Sequence, residues 1–231
     1  MTIFNNSAIF SAGLRDFLSK EKNMRKKILL FCVLALSFVL FFNNHVQSVT
    51  SSPTSQTGNL YLIDNFDDGN ITANPVWWTF GNISVKVVNR SLIVSGKAKN
   101  WFVGGMGTLL AKINVDLGRY NAVQMAILGS GPGSGTIRIE LMDDDKGTGK
   151  YEPLYDDTFS YDIIIDWSGW KNIIIPINKF KSNNPKLGNG KLNMTKKNGK
   201  GGLLQINLLF TASKENSSMK LNIDNLALVI K

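Results

Sequence analysis

Trp167-Ser168-Gly169-Trp170-Lys171-Asn172-Ile173-Ile174-Ile175-Pro176-Ile177-Asn178-Lys179-Phe180 carries the strongest fold signal in this 231-residue chain. Ser168-Gly169 is turn chemistry, and Ile173, Ile174 and Ile175 form a β-branched run of the kind a buried strand needs. Pro176 cannot donate to a ladder, so it marks the edge or the end of that strand. Phe180 offers an aromatic anchor just beyond. One strand cannot bury both of its faces, so the rest of the chain must supply a second sheet. Further strand patterns run over 60–64, 76–80, 83–88, 91–95, 108–115, 122–128, 136–142, 158–165, 171–177, 203–210 and 220–230, with Gly, Asn and Asp turns between them. No amphipathic helix and no internal repeat interrupts them. Many short strands at regular spacing predict an all-β fold, a jelly-roll β-sandwich of two antiparallel sheets in a single domain.

A tryptophan, a short apolar run, an Ile-Pro pair and a Phe four residues after the Pro resemble a signature of the galactose-binding-like jelly-roll superfamily. Carbohydrate-binding modules similar to the family-eleven cellulase modules share it, as do complex I intermediate-associated proteins. Two further stretches fit. Asn65-Phe66-Asp67-Asp68-Gly69 is similar to the opening of these modules, and Ile223-Asp224-Asn225 to their closing strand. In that family the two chain ends lie side by side and often share a structural calcium. The resemblance therefore implies a metal site in which Asp67 is the N-terminal acidic ligand and Asp224 the C-terminal one, with Asp64 or Asp68 as a third. Calcium takes six to eight oxygen ligands, which such acids supply. Asp67 stands where Glu is commoner in the family, which shortens the reach. The same residues read without the resemblance are ordinary turn and strand-end acids.

Met24-Arg25-Lys26-Lys27 is a positive n-region, residues 28–42 are apolar apart from Ser37, and Val46-x-Ser48 fits a small-residue cleavage site. That order is a secretory signal peptide cleaved after Ser48, in a protein secreted or held at the cell surface. The apolar run is short of the roughly 20 residues a membrane span needs, and a retained signal anchor is the alternative. Residues 1–48 thus read as N-terminal extension and signal peptide, with Met24 a candidate start, 49–59 as a Ser/Thr/Gly/Pro linker, and 60–231 as the jelly-roll domain. Cleavage removes Cys32 and His45, the chain's single Cys and single His. A thiol nucleophile, an imidazole base, a disulfide and a Cys/His zinc site are then all excluded. The full chain carries a net charge of +9; six basic and two acidic residues precede Val49, which leaves +5. That modest excess, without any nucleic-acid motif, gives no reason to expect a nucleic-acid partner.

Period-two alternation marks candidate binding residues. Gln124, Arg138, Glu140, Gln205 and Asn207 all alternate with apolar neighbours, and on adjacent strands they would share one outward face. Amides, a guanidinium and a carboxylate are the groups that hydrogen-bond sugar hydroxyls, although any sandwich also has a solvated face. In the resembling modules the concave sheet face is the glycan cleft. Aromatic residues add stacking surfaces. Trp77 and Trp78 must point to opposite sides of a strand, so one of them is core; Trp101, ahead of Gly104-Gly105 and Met106-Gly107, is expected at a loop, and the default for any single Trp is core packing. Tyr151 and Tyr155 sit in a long loop and are expected to be exposed.

That loop begins Asp143-Asp144-Asp145-Lys146-Gly147, like a calcium loop, but Gly147 and Glu152 miss the EF-hand spacing. It reads as a solvated loop at the rim of the cleft, and a flexible loop is a poor place for a glycosidase pair. Between Lys171 and Gly202 stand eight lysines and no acid, an exposed basic stretch that could grip an anionic polysaccharide. Sequons at Asn70, Asn82, Asn89, Asn193 and Asn216 bear on the protein only where the host glycosylates. The expected function is a secreted, non-catalytic carbohydrate-binding module recognising a polysaccharide through Gln124, Arg138, Glu140, Tyr151, Tyr155 and Asn207. The alternatives are a structural or assembly domain that binds a protein, and a carboxylate-based glycan hydrolase or lyase.

Overall fold

The strand patterns fold into two antiparallel sheets in the computed structural model, which describes residues 56–110, 116–196 and 200–231. These belong to one unit, Ser51–Lys231. The expected signal peptide and cleavage site lie outside the described residues. Thirteen strands follow in chain order: β1 (Gln56–Thr57), β2 (Leu60–Asp64), β3 (Trp78–Gly81), β4 (Ile83–Val88), β5 (Ser91–Lys97), β6 (Phe102–Leu109), β7 (Ala122–Ser130), β8 (Gly135–Asp144), β9 (Thr158–Ile165), β10 (Ser168–Pro176), β11 (Lys181–Ser182), β12 (Gly202–Thr211) and β13 (Ser218–Val229). No α-helix occurs among the described residues; two 3-10 turns, Leu117–Arg119 and Ile177–Lys179, complete the elements. This is the jelly-roll β-sandwich that the alternation predicts.

In the first sheet β13 runs through the centre. β7 flanks one side of it, and β5 and then β2 flank the other, with β4 beyond β5, β1 beyond β2 and β10 beyond β7. The second sheet has the order β11-β9-β8-β12-β6-β3. The apolar phase of each strand points between the sheets. Leu92, Val94, Val123, Met125, Ile127, Leu221 and Ile223 come from the first sheet. Ile137, Ile139, Leu141, Ile206, Leu208 and Phe210 meet them from the second, all within one buried cluster. Burial of a Leu or Ile side chain is worth about 1.5–3 kcal/mol, so this layer is what holds the sheets face to face.

Two strands differ from expectation. β6 runs from Phe102 to Leu109, ahead of the expected 108–115, and takes in Gly104, Gly105 and Gly107; residues 111–115 of that expectation lie outside the described residues. Gly105 and Gly107 are glycine because aromatic rings from β3 lie against them. The Ile-rich β10 is not a buried strand but an edge strand paired to β7 alone. Ile175 is buried, Ile174 is exposed, and the strand's first five residues are exposed too. Pro176 sits at its end, and Phe180 is buried against Tyr161, as an anchor should be.

Candidate ligand-binding face

The register of the second sheet puts one residue from each strand on a single line across it. Trp78 stands opposite Gly107, Gly107 opposite Asn207, Asn207 opposite Glu140, Glu140 opposite Ser160, and Ser160 opposite Lys181. Directly paired residues share a face, so this line lies on the side of the sheet turned away from the apolar core; Asn207 and Gly107 are buried at its floor, Glu140 and Ser160 are half-buried, and Lys181 is exposed. A parallel line two residues along each strand holds Phe80, Gly105, Leu209, Arg138 and Asp162.

Polar groups on the first line are joined. Gln205 Nε2 donates to Asn207 Oδ1 at 2.8 Å, and Asn207 Nδ2 approaches Glu140 Oε2 at 3.4 Å. Asn183 Nδ2 approaches Glu140 Oε1 at 3.4 Å, and Asn183 Oδ1 accepts from Ser160 Oγ at 2.6 Å. Burial holds the Glu140 carboxyl above its ordinary range, and the Asn207 hydrogen bond and the charge of Arg138 work against that. At one end the rings of Trp78 and Phe80 lie over the glycines of β6. A Cβ built on Gly107 would stand 2.6 Å from Trp78 Cζ2, and one on Gly105 would be 2.9 Å from Phe80 Cε2. Both rings are half-buried, so each keeps accessible surface above the glycine it covers. Trp77, of opposite phase, is buried and donates its indole N–H to Asp64 Oδ2 at 2.7 Å.

The structure therefore brings Arg138, Glu140 and Asn207 onto one face, as expected, and adds Trp78, Phe80, Asn183 and Ser160. Arg138 is held in a two-pronged ion pair, Nε to Asp162 Oδ1 at 2.6 Å and Nη2 to Oδ2 at 2.8 Å. That hydrogen-bonded pair pushes the Asp162 carboxyl below its usual range. Tyr151 is half-buried, with its hydroxyl 2.7 Å from Thr158 Oγ1. Burial raises its pKa, and the charge of Glu140 adds to the effect. Tyr155 is exposed, and the Lys146 ammonium sits 2.9 Å from its ring centroid. Gln124 does not belong here. It lies on β7 in the other sheet, opposite Ile174 of β10. Alternation gives the face of a strand but not the sheet to which the strand belongs.

The metal expectation also changes. The two ends of the domain do lie side by side, with Asp64 of β2 paired to Leu226 of β13. Asp64, Asp67, Asp68 and Asp224 do not converge as a metal-sized group: among the described residues the acids that do lie elsewhere. Asp64 is buried and accepts from Phe66 N–H and from Trp77 Nε1, both at 2.7 Å; burial lifts its pKa to about 6. Asp67 is held by Arg90 through two contacts of 2.6 Å, and Asp224 Oδ1 accepts from Asn225 N–H.

The carboxylates that converge are in the loop expected to be solvated. Asp143, Asp144, Asp156 and Asp157 are all buried. Asp144 closes the turn by accepting from Thr148 and Gly149 N–H. One oxygen each from Asp143, Asp145 and Asp157 lies within 4.8 Å of the others, so the three could hold a metal ion. The lysine-bearing stretch folds over them. Asp157 Oδ2 accepts from the backbone N–H of Asn189 (3.0 Å), Gly190 (2.7 Å) and Lys191 (3.2 Å), and Asp143 Oδ2 accepts from Asn193 N–H at 2.6 Å. Asp145 takes Asn189 N–H at 2.8 Å and Asn193 Nδ2 at 2.7 Å. Gly188, at φ +64°, lets the backbone pass directly against the Asp157 carboxyl. The run of three aspartates was the available signal, but its covering loop lies some 30 to 50 residues away in sequence.

No family model matches this chain, and no curated protein matches it. Solved structures do. The family 11 carbohydrate-binding module of the cellulosomal cellulase Lic26A-Cel5E of Clostridium thermocellum is 20% identical, with a TM-score of 0.50 over 77% of this chain and 97% of that one. The Clostridium thermocellum family 11 module in complex with a β-1,3-1,4-mixed-linked tetrasaccharide is 19% identical, with a TM-score of 0.50 over 76% of this chain and 98% of that one. An agarase, AgWH50C, matches with 11% identity and a TM-score of 0.50 over 75% of this chain and 25% of its own. Across nearly the whole length of those modules, the chain has the jelly-roll β-sandwich fold of the family 11 carbohydrate-binding modules.

Proposed function

We propose that this protein is a secreted, non-catalytic module that binds a polysaccharide on the outer face of its six-stranded sheet. The observation that carries the reading is the line from Trp78 through Asn207 and Glu140 to Ser160, which sets an aromatic surface beside linked amide, carboxylate and hydroxyl groups. A ring stacks on the C–H face of a pyranose while amides and carboxylates bind its hydroxyls. The solved module of this fold that holds a mixed-linked tetrasaccharide supports the same ligand class. Arg138 and Lys181 balance Glu140 and Asp162 across the face, which favours a neutral β-linked chain over an anionic one. Binding rather than hydrolysis fits the two acids of the face: Asp162 is held by Arg138, and Glu140 is engaged by two amides.

The test is pull-down on insoluble mixed-linkage β-glucan and on an anionic polysaccharide, comparing wild type with Trp78→Ala. Retention on the neutral glucan that is lost in the variant is the expected result. Retention on neither polysaccharide by the wild type overturns the reading. A protein-docking role is the second reading, favoured by edge strand β10, where Trp170 and Ile174 are both exposed. We further read calcium as the protein's structural cation, because the converging donors are all hard oxygens.

A further inference from the structure

We propose that Asp143, Asp145 and Asp157 form a calcium site that staples the 188–193 loop to the end of the six-stranded sheet. The proposal rests on the calcium reading above and not on the glycan reading. Asp143 comes from the end of β8, Asp145 from the loop after it, and Asp157 from just before β9. Two oxygens bound to one calcium at about 2.3–2.6 Å can stand no more than about 5 Å apart, and these three carboxylates meet that limit.

A second observation is independent of this clustering. Asp157 is wholly buried, and its Oδ1 is the one buried side-chain polar atom among the described residues with no hydrogen-bond partner. Its other oxygen accepts three backbone N–H groups. A buried carboxylate oxygen without a donor is costly, and a cation between the three acids would satisfy it. N–H donors orient the carboxylates but carry no full charge to offset three converging anions. Zinc chemistry does not suit the site, which has neither thiolate nor imidazole. Main-chain oxygens and water would complete the six to eight ligands calcium takes. Because the N–H groups of Asn189, Gly190, Lys191 and Asn193 bind the same carboxylates, the ion would fix this loop by fixing what it grips.

The experiment is a calorimetric titration of the EDTA-treated, full-length protein with calcium chloride, with melting temperature read in parallel. One calcium per chain and a rise in melting temperature are expected. Asp145→Asn and Asp157→Asn should each weaken binding at least ten-fold. Asp145 is only partly buried, so its variant tests the site even if Asp157→Asn fails to fold. No calcium binding by the wild type overturns both the site and the calcium reading. Binding that survives in Asp145→Asn but is lost in Asp224→Asn overturns this site and returns calcium to the ends of the domain. Glycan retention measured on calcium-loaded protein bears on the binding face alone.

Discussion

The indole of Trp78 rests on Gly107, and Gly107 is the residue that a side chain could not replace without moving that ring. Its backbone lies outside the left-handed region, so a substitution there acts through contact and not through backbone strain. Gly107→Ala should tilt Trp78 and crowd Asn207 Oδ1. The expected cost is about 1–3 kcal/mol of stability, as for other overpacked sites. Glycan retention should fall as far as in Trp78→Ala. Melting curves and pull-down on the same samples check this. A stable Gly107→Ala protein with full retention would remove Trp78 from the binding surface.

Arg138 and Asp162 are each close to half exposed, at 45% and 46% for their side chains. An ion pair so open to water is worth about 0–1 kcal/mol. Arg138→Ala should therefore lower stability by less than about 1 kcal/mol. A charged hydrogen bond to a sugar is worth about 1.5–3 kcal/mol, so glycan affinity should fall about ten-fold or more. Asp162→Asn breaks the same pair but keeps the guanidinium, and should match the stability change while retaining glycan. Equal retention in wild type and Arg138→Ala would leave Arg138 as an ion-pair partner only.

The proposed secretion rests on the n-region, the apolar 28–42 run and Val46-x-Ser48. Intact-mass analysis of exported protein should find a chain that begins at Val49 and contains neither cysteine nor histidine. A mature form that still carries residues 28–42 would show a retained anchor.

Much of the fold was legible in the sequence because alternation is a local property. Ile137, Ile139 and Leu141 declare their buried face without reference to any other strand, and the structure buries all three. What alternation does not encode is partnership. Gln124 has the same phase as Asn207 yet belongs to the other sheet, because β7 pairs with β13 and β10. The expected strand begins at 108 because the glycines before it show no alternation, and the rings that cover Gly105 and Gly107 come from β3. The aspartates at 143–145 read as solvated because the loop that buries them follows β11. Each miss is a long-range contact standing behind a correct local pattern.

Asp64 offers a test that depends on neither ligand. Its carboxyl is buried between Phe66 N–H and the Trp77 indole, and its pKa rises from 3.8 to about 6, chiefly by burial, with the charges of Asp68 and Asp224 adding to it. The folded protein therefore holds a proton on Asp64 over a pH range in which the unfolded chain has lost it. The contribution to stability is fully present below about pH 4 and is lost as pH rises through about 6. At about 1.36 kcal/mol per unit, the swing is of order 3 kcal/mol. Asp64→Asn removes the titration. Its amide can accept from Phe66 or from Trp77 but meets the other donor with an N–H, so the variant should be less stable than wild type at pH 4 by about 1–3 kcal/mol. The gap should close or change sign as pH rises to 8, since only the wild type loses the Asp64 proton. Denaturant melts of both proteins at pH 4, 6 and 8, in EDTA, measure the difference directly. Other acids with raised pKa values, Glu140, Asp143 and Asp157 among them, change both proteins alike and cancel in that comparison. A stability gap that stays constant from pH 4 to 8 would mean that Asp64 is already ionised in the folded state, with the Trp77 and Phe66 hydrogen bonds outweighing its burial.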